Sequence, residues 1–305
     1  MAWPNDYPRS YYSKYEKVDI KSEWYDVYKL PNNVYAIVEP KHFQEVNSFL
    51  VIGEERAMMV DTGMDIENIR DVVDQLYKGE IAVVHTHFHF DHITGDKYFD
   101  KIYSFNEPHA LKMLRRGATT EELAYQVQDE AFADGKTPSW FDRDSYHIPG
   151  IEPIPVEEGH IFDLGGRTLE VVHTPGHSDD GIMLFDEKNR MLFTGDTFYL
   201  AGIYTHFCSE FLGSSNFRMY LESLEKLQAY IPKLDWLVCS HNDILVEAGY
   251  LKTGYEAFKS IADGTAVPDD VDDVGLHGHG QDSELPLQFT FEGFTVYVNR
   301  KDYGK

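Results

Sequence analysis

Short apolar runs separated by turn residues dominate the first hundred positions. Val34-Tyr35-Ala36-Ile37-Val38, Ser48-Phe49-Leu50-Val51-Ile52, Ala57-Met58-Met59-Val60 and Ile81-Ala82-Val83-Val84 each have the length and side-chain type of a strand. Between the last two the period changes: Ile66, Ile69, Val72, Val73 and Leu76 recur at helical spacing and predict a helix over 65–77. A strand follows at 101–104, and 107–133 reads as helical with an interruption near Gly117. Strands resume at 168–172 after Gly165-Gly166, and 182–185 with 191–193 predict a hairpin around Asp186-Glu187-Lys188-Asn189. A helical repeat over 215–230 precedes a strand at 235–239. Near the C-terminus, 288–298 predicts a hairpin around Glu292-Gly293, too small to stand alone, which packs on the body or on another subunit.

One stretch breaks this pattern of plain strands and helices. In Val83-Val84-His85-Thr86-His87-Phe88-His89-Phe90-Asp91-His92 an extended backbone would point His87, His89 and Asp91 to one side and Phe88 and Phe90 to the other. Imidazole and carboxylate are the ligands that a hydrolytic zinc ion takes. His92 breaks the alternation, as a residue turning into a helix would. A lone histidine there would be structural and Asp91 alone could be an N-cap; four such residues within six positions point to metal.

Composition narrows the partners. The 305 residues include 27 basic and 52 acidic ones, a net charge of -25, which repels nucleic acid and anionic membrane surfaces. The first residues show no basic and apolar leader pattern, and no run approaches a membrane span, which reads as a cytosolic protein. Cys208 and Cys239 alone argue against a disulfide framework, and Cys239 within Trp236-Leu237-Val238-Cys239 reads as core.

Thr86-His87-Phe88-His89-Phe90-Asp91-His92 resembles the signature of the metallo-β-lactamase superfamily of metallohydrolases. The resemblance covers about 34–262 and extends to four further motifs. Asp61 in Asp61-Thr62-Gly63 matches the aspartate that orients the metal loop from behind, the alternative being an ordinary turn residue, which its order and position in the chain disfavour. His177 in Thr174-Pro175-Gly176-His177, Asp196 in Thr194-Gly195-Asp196-Thr197, and His241 in Ser240-His241-Asn242 match the remaining ligand motifs, whereas His160 and His173 have no place in them.

The resemblance implies a four-layer αββα sandwich of the α/β class, with His87, His89 and His177 on one zinc, Asp91, His92 and His241 on a second, and Asp196 shared. Iron or manganese are compatible alternatives to zinc. Two such ions about 3.5–4 Å apart hold a bridging hydroxide, here directed at an ester-like bond (lactone, ester or thioester) of a small molecule. Asp91 would shuttle the proton. Tyr199, three residues after Asp196 as in the acyl-homoserine lactonases, would donate to the developing oxyanion, or is simply a packed tyrosine. The same motifs resemble the hydroxyacylglutathione hydrolases, but the acidic run 266–273 replaces the basic residues that glutathione needs. A small-molecule phosphodiesterase and a mononuclear iron persulfide dioxygenase are the alternatives.

The expected organisation is a tyrosine-rich N-terminal arm over 1–33, the metallo-β-lactamase-like domain over 34–265, and an acidic loop with a hairpin over 266–305; a homodimer is compatible with it. Within the domain, 105–150 reads as an insertion near the site mouth, with Trp140, Phe141 and Tyr146 either an apolar wall or the core of a small subdomain. His277 and His279, on a glycine-rich loop, read as exposed or weakly metal-binding.

Overall fold

The apolar runs of the N-terminal half become neighbours in a single sheet whose spatial order is the order of the sequence. The computed structural model describes residues 9–270 and 285–304. The chain divides into two compact units, the first running to Val156 with Phe162–Thr168 added, the second made of Glu157–Ile161 and the chain from Leu169 onward.

The first unit holds strands β1 (Glu16–Val18), β2 (Asp26–Leu30), β3 (Val34–Val38), β4 (Asn47–Ile52) and β5 (Ala57–Val60), paired antiparallel. Short turns suffice for such pairs: Asn32 and Asn33 take positive φ (61° and 55°) to reverse the chain between β2 and β3. From β5 the sheet continues in parallel through β6 (Ile81–Val84), β7 (Ile102–Phe105) and β8 (Ile154–Val156). Parallel neighbours need crossovers. These carry α1 (Ile69–Leu76), α2 (Phe90–Ile93), α3 (Pro108–Arg116) and α4 (Thr120–Leu123).

Three expectations change here. Helix α1 begins at Ile69 and not at 65, because Asp65 has φ 53° and Asn68 supplies the cap, its side chain accepting from the Arg70 N–H. The helical stretch of 107–133 stops at Gly117 (φ 71°), restarts with a Thr119–Glu122 capping box and ends in 3-10 turns. Residues 16–30, expected as part of an arm, supply the two outer strands of the sheet, with Tyr12 stacked on Tyr28 at 5.1 Å. Such short strands, heavy in charge and tyrosine, lack a legible alternation.

In the second half of the crossover region, Tyr146 is buried and its hydroxyl donates to Met64 O at 2.7 Å, so it is core and not wall. Phe141 packs on Tyr146 at 5.3 Å, and Trp140 is 44% exposed with its edge toward Trp24. The segment is fixed to the rest of the unit: Phe43 N donates to Ala131 O, Ala133 N to Lys41 O, and His42 Nε2 to Gln126 O at 2.8 Å.

The second unit is built on most of a six-stranded sheet, of which Phe162, Asp163 and Thr168 are counted with the first. Its strands are β9 (Ile161–Asp163), β10 (Thr168–His173), β11 (Ile182–Asp186), β12 (Met191–Phe193), and, later in the chain, β16 (Trp236–Val238) and β17 (Leu245–Glu247), in the order β17-β16-β12-β11-β10-β9. Between them come β13 (Gly202–Thr205), the small ribbon β14 (Cys208–Ser209) and β15 (Gly213–Ser214), and α5 (Phe217–Leu227). Helix α5 and the following α6 (Tyr250–Ala262) pack through Phe217 and Tyr220 against Phe258, with ring centroids 5.3 and 4.6 Å apart. The C-terminal hairpin, β18 (Leu287–Phe291) and β19 (Phe294–Val298), pairs in parallel with β13, so it packs on its own unit. Cys239 is buried, Cys208 is exposed and neither is in a disulfide. Among the described residues no helix is long and apolar enough to cross a membrane. His277, His279 and the acidic run beyond Asp270 lie outside the described residues.

Candidate metal centre

Each unit carries its own set of ligand-type side chains. In the first, β6 ends at Val84 and the chain leaves the sheet before the motif is complete. His87 and His89 lie on an irregular loop, and Asp91 and His92 fall in α2, so the extended comb is replaced by a loop closed by a helical turn. The turn does the gathering: His92 N donates to His89 O at 3.0 Å, and the His87 ring comes within 4.5 Å of His89 and 4.2 Å of His92 between centroids. His92 Nε2 is 3.6 Å from Asp91 Oδ2. All four side chains are buried, and Phe88 and Phe90 are buried beside them.

Asp61 anchors this loop. It sits at φ 61°, where β5 gives way to the turn, a backbone conformation that aspartate tolerates better than most residues. Its Oδ1 accepts from Thr86 N at 2.7 Å, while Oδ2 accepts from Thr86 Oγ1 and from His92 Nδ1, both at 2.8 Å. With Nδ1–H committed to a carboxylate, His92 presents Nε2 as the lone-pair nitrogen, the arrangement that orients a metal-ligating imidazole. Gly63 is required next to it. A Cβ there would stand 2.2 Å from Glu39 Oε1, at φ 69°.

Two supports on this side were not singled out from the sequence. Glu39 accepts from Met64 N at 2.7 Å and from Trp24 Nε1 at 2.6 Å, and burial pushes its carboxyl up to about 8 against those two donors. His85 Nε2 lies 2.9 Å from Asp96, and burial raises the Asp96 carboxyl. The only sequence signal for either is a polar residue at a position that hydrophobic patterning would fill.

In the second unit the set is assembled from three strand ends. Pro175-Gly176 turns the chain after β10, and Gly176 (φ 151°) packs so closely that a Cβ would lie 2.4 Å from the Tyr220 Cα. His177 follows, its Nδ1 donating to Tyr204 O at 3.1 Å, which leaves Nε2 as the ligand atom. Asp196 lies one residue beyond Gly195 (φ 50°), where β12 ends. Its oxygens face an imidazole each: His177 Nε2 at 3.5 Å and His241 Nε2 at 3.0 Å. The Tyr220 hydroxyl fixes that turn by donating to Asp196 O and Thr197 O at 2.8 and 2.7 Å. His241 leaves β16 after Ser240, and the Tyr199 ring packs at 4.9 Å from it. His173 Nε2 lies 2.9 Å from Asp179 O.

Both donor sets contain imidazole nitrogen and carboxylate oxygen and no thiolate. That chemistry fits zinc, and it also accommodates iron or manganese.

Several known proteins are similar to this chain. Acyl-coenzyme A thioesterase MBLAC2 of Homo sapiens is 28% identical over 194 residues, covering 58% of this chain and 67% of that protein. Its Gallus gallus counterpart is 28% identical over 225 residues, 69% of this chain and 77% of that one. An atrochrysone carboxyl ACP thioesterase of Emericella nidulans is 25% identical over 209 residues, 67% of this chain and 54% of that protein. Among solved structures, a metallo-beta-lactamase family protein from Thermus thermophilus superposes with a TM-score of 0.57 at 19% identity, over 76% of this chain and 81% of that one. The sec-alkylsulfatase Pisa1 from Pseudomonas sp. gives 0.60 at 14% identity, over 77% and 42%. These two likenesses show the fold. Residues 43–241, more than half of the sequence, match the family model of the metallo-beta-lactamase superfamily, and the chain belongs to that superfamily.

Proposed function

We propose that this chain is a zinc-dependent hydrolase that cleaves the thioester bond of a small acyl donor. The observation that carries the reading is the completeness of the donor sets: every ligand type the superfamily uses stands at its motif position, buried, in the chemistry that zinc takes. By the order of the motifs, His87, His89 and His177 would hold one ion, Asp91, His92 and His241 the other, and Asp196 would serve both. Two ions so bound would supply hydroxide at neutral pH and polarise the carbonyl under attack.

The remaining tasks belong to side chains of this protein. Asp61 fixes the His92 ring through Nδ1. Asp91 would take a proton from the attacking water and return it to the leaving thiolate. Tyr199, packed on His241, is the candidate donor to the oxygen on which charge develops. The choice of thioester rests on the named activities of the MBLAC2 and Emericella relatives. A lactone is the second reading, favoured by Tyr199 alone. A phosphodiester has no separate observation behind it, and a mononuclear iron dioxygenase, which needs only two histidines and an aspartate, would leave a complete second site, His241 included, without a task. The net charge of -25 weighs against a polynucleotide.

The test is hydrolysis by zinc-loaded protein of an acyl-coenzyme A, an acyl-N-acetylcysteamine, an acyl-homoserine lactone and a phosphodiester. Thioester turnover is expected to lead, to fall about a thousandfold or more in Asp196→Ala and about tenfold in Tyr199→Phe. Preferential lactone turnover would replace the substrate class, and unchanged thioester turnover in Asp196→Ala would reject the site.

A further inference from the structure

The ligand loop of the first unit is tied down twice, and the second tie does not involve Asp61 at all. His85, the first residue after β6, is held to the sheet by its N–H donating to Tyr103 O at 3.0 Å. Its Nε2 lies 2.9 Å from Asp96 Oδ1, and Oδ2 is at 2.9 Å as well. Asp96 therefore reaches back from beyond α2 to the point where the ligand loop starts. Thr62 completes the tie: its Oγ1 donates to Asp96 Oδ1 at 2.9 Å and its N–H to His92 O at 2.7 Å. All three side chains are buried. Gly95 permits the approach, since a Cβ there would sit 2.6 Å from Thr62 O.

We infer that His85, Asp96 and Thr62 form a positioning clasp that sets the separation of His87 from His92 and thereby the metal affinity of the loop. The physical reason is preorganisation. Joining the two ends of 85–96 removes loop freedom that metal binding would otherwise have to freeze, so affinity is higher when the clasp is shut. An apolar residue at 96 removes the acceptor that joins the His85 ring to the Thr62 hydroxyl, leaving Thr62 only its longer bond to His92 O at 3.2 Å, and the tie between the loop ends is lost. None of the three is a catalytic residue; they act through the ligands. The inference rests on the metal reading above but not on the substrate.

The test reads metal binding without turnover. Wild type, Asp96→Leu, Asp96→Asn and Thr62→Val are stripped, shown to be folded by circular dichroism, and titrated with zinc against a chromophoric chelator and with cobalt followed by its visible absorption. Roughly tenfold weaker zinc binding is expected for Asp96→Leu, with altered cobalt bands. Asp96→Asn, which keeps an acceptor for Thr62, should recover part of the loss, and Thr62→Val should show a smaller loss in the same direction. Should Asp96→Leu fail to fold, the other two variants decide by the same comparison. Variants that unfold earlier yet bind zinc within twofold of wild type, with unchanged cobalt bands, would overturn the clasp while leaving the hydrolase reading intact. Wild type that binds neither ion would overturn both.

Discussion

The two units present ligand-type side chains in opposite ways. In the first, His87, His89, Asp91 and His92 sit within six positions, and the structure commits a dense set of buried polar bonds to holding that one loop. In the second, His177, Asp196 and His241 are far apart in sequence, and each stands just past the end of a different strand. There the sheet does the positioning: β12 pairs with β16 in parallel, which brings the exits of Asp196 and His241 side by side. A local motif needs carboxylates to brace it; a motif scattered over strand ends inherits its geometry from the ladder and from close-packed glycine turns.

The contrast has consequences for acid. The first unit buries His42, whose Nε2 donates to Gln126 O and whose Nδ1 accepts from Gln44 N, and burial lowers its imidazole to about 4. A base whose folded value lies below its unfolded one, near 6.5, contributes stability that is present above that value and is lost as pH falls towards 4. The expected loss is about 3 kcal/mol between pH 6.5 and 4, read from urea midpoints, and absent in a folded His42→Gln variant. Acid unfolding that is the same in both proteins would show that this unit is not the sensitive one.

Next in size is the brace itself. Asp61→Asn tolerates the positive φ but withdraws the carboxylate from His92 and Thr86, and zinc binding should weaken about 10- to 100-fold in chelator competition. An unchanged affinity would mean that the loop is positioned without it, and the contrast between the units would collapse. The corresponding change in the second unit is steric. Gly176→Ala drives a methyl group into the Tyr220 backbone and should cost about 1–3 kcal/mol of stability by urea denaturation. A neutral effect would show that the turn before His177 has slack.

What the sequence made legible follows the same division. The candidate ligand side chains stand out by type and spacing, because paired imidazoles and carboxylates so close together have few structural uses, and most strands of both sheets were legible. The shape of the ligand loop was not: alternation from His87 to Asp91 suggested a strand, whereas the turn into α2 overrides that period. β1 and β2 were hidden by short length and by charged and tyrosine positions whose burial depends on neighbours. Tyr146 could not be told from a pocket residue because its fate depends on Met64 O, distant in sequence. The His85–Asp96 clasp escaped for a related reason, since a polar pair becomes structural only when both members are buried together.

The most direct test of the binuclear account is a zinc titration of stripped, folded protein with thioester hydrolysis as the readout. Activity should be absent at the start, rise with added zinc and level off at two equivalents per chain. Full activity in the stripped protein, or a plateau reached with a single iron per chain and none with zinc, would contradict it.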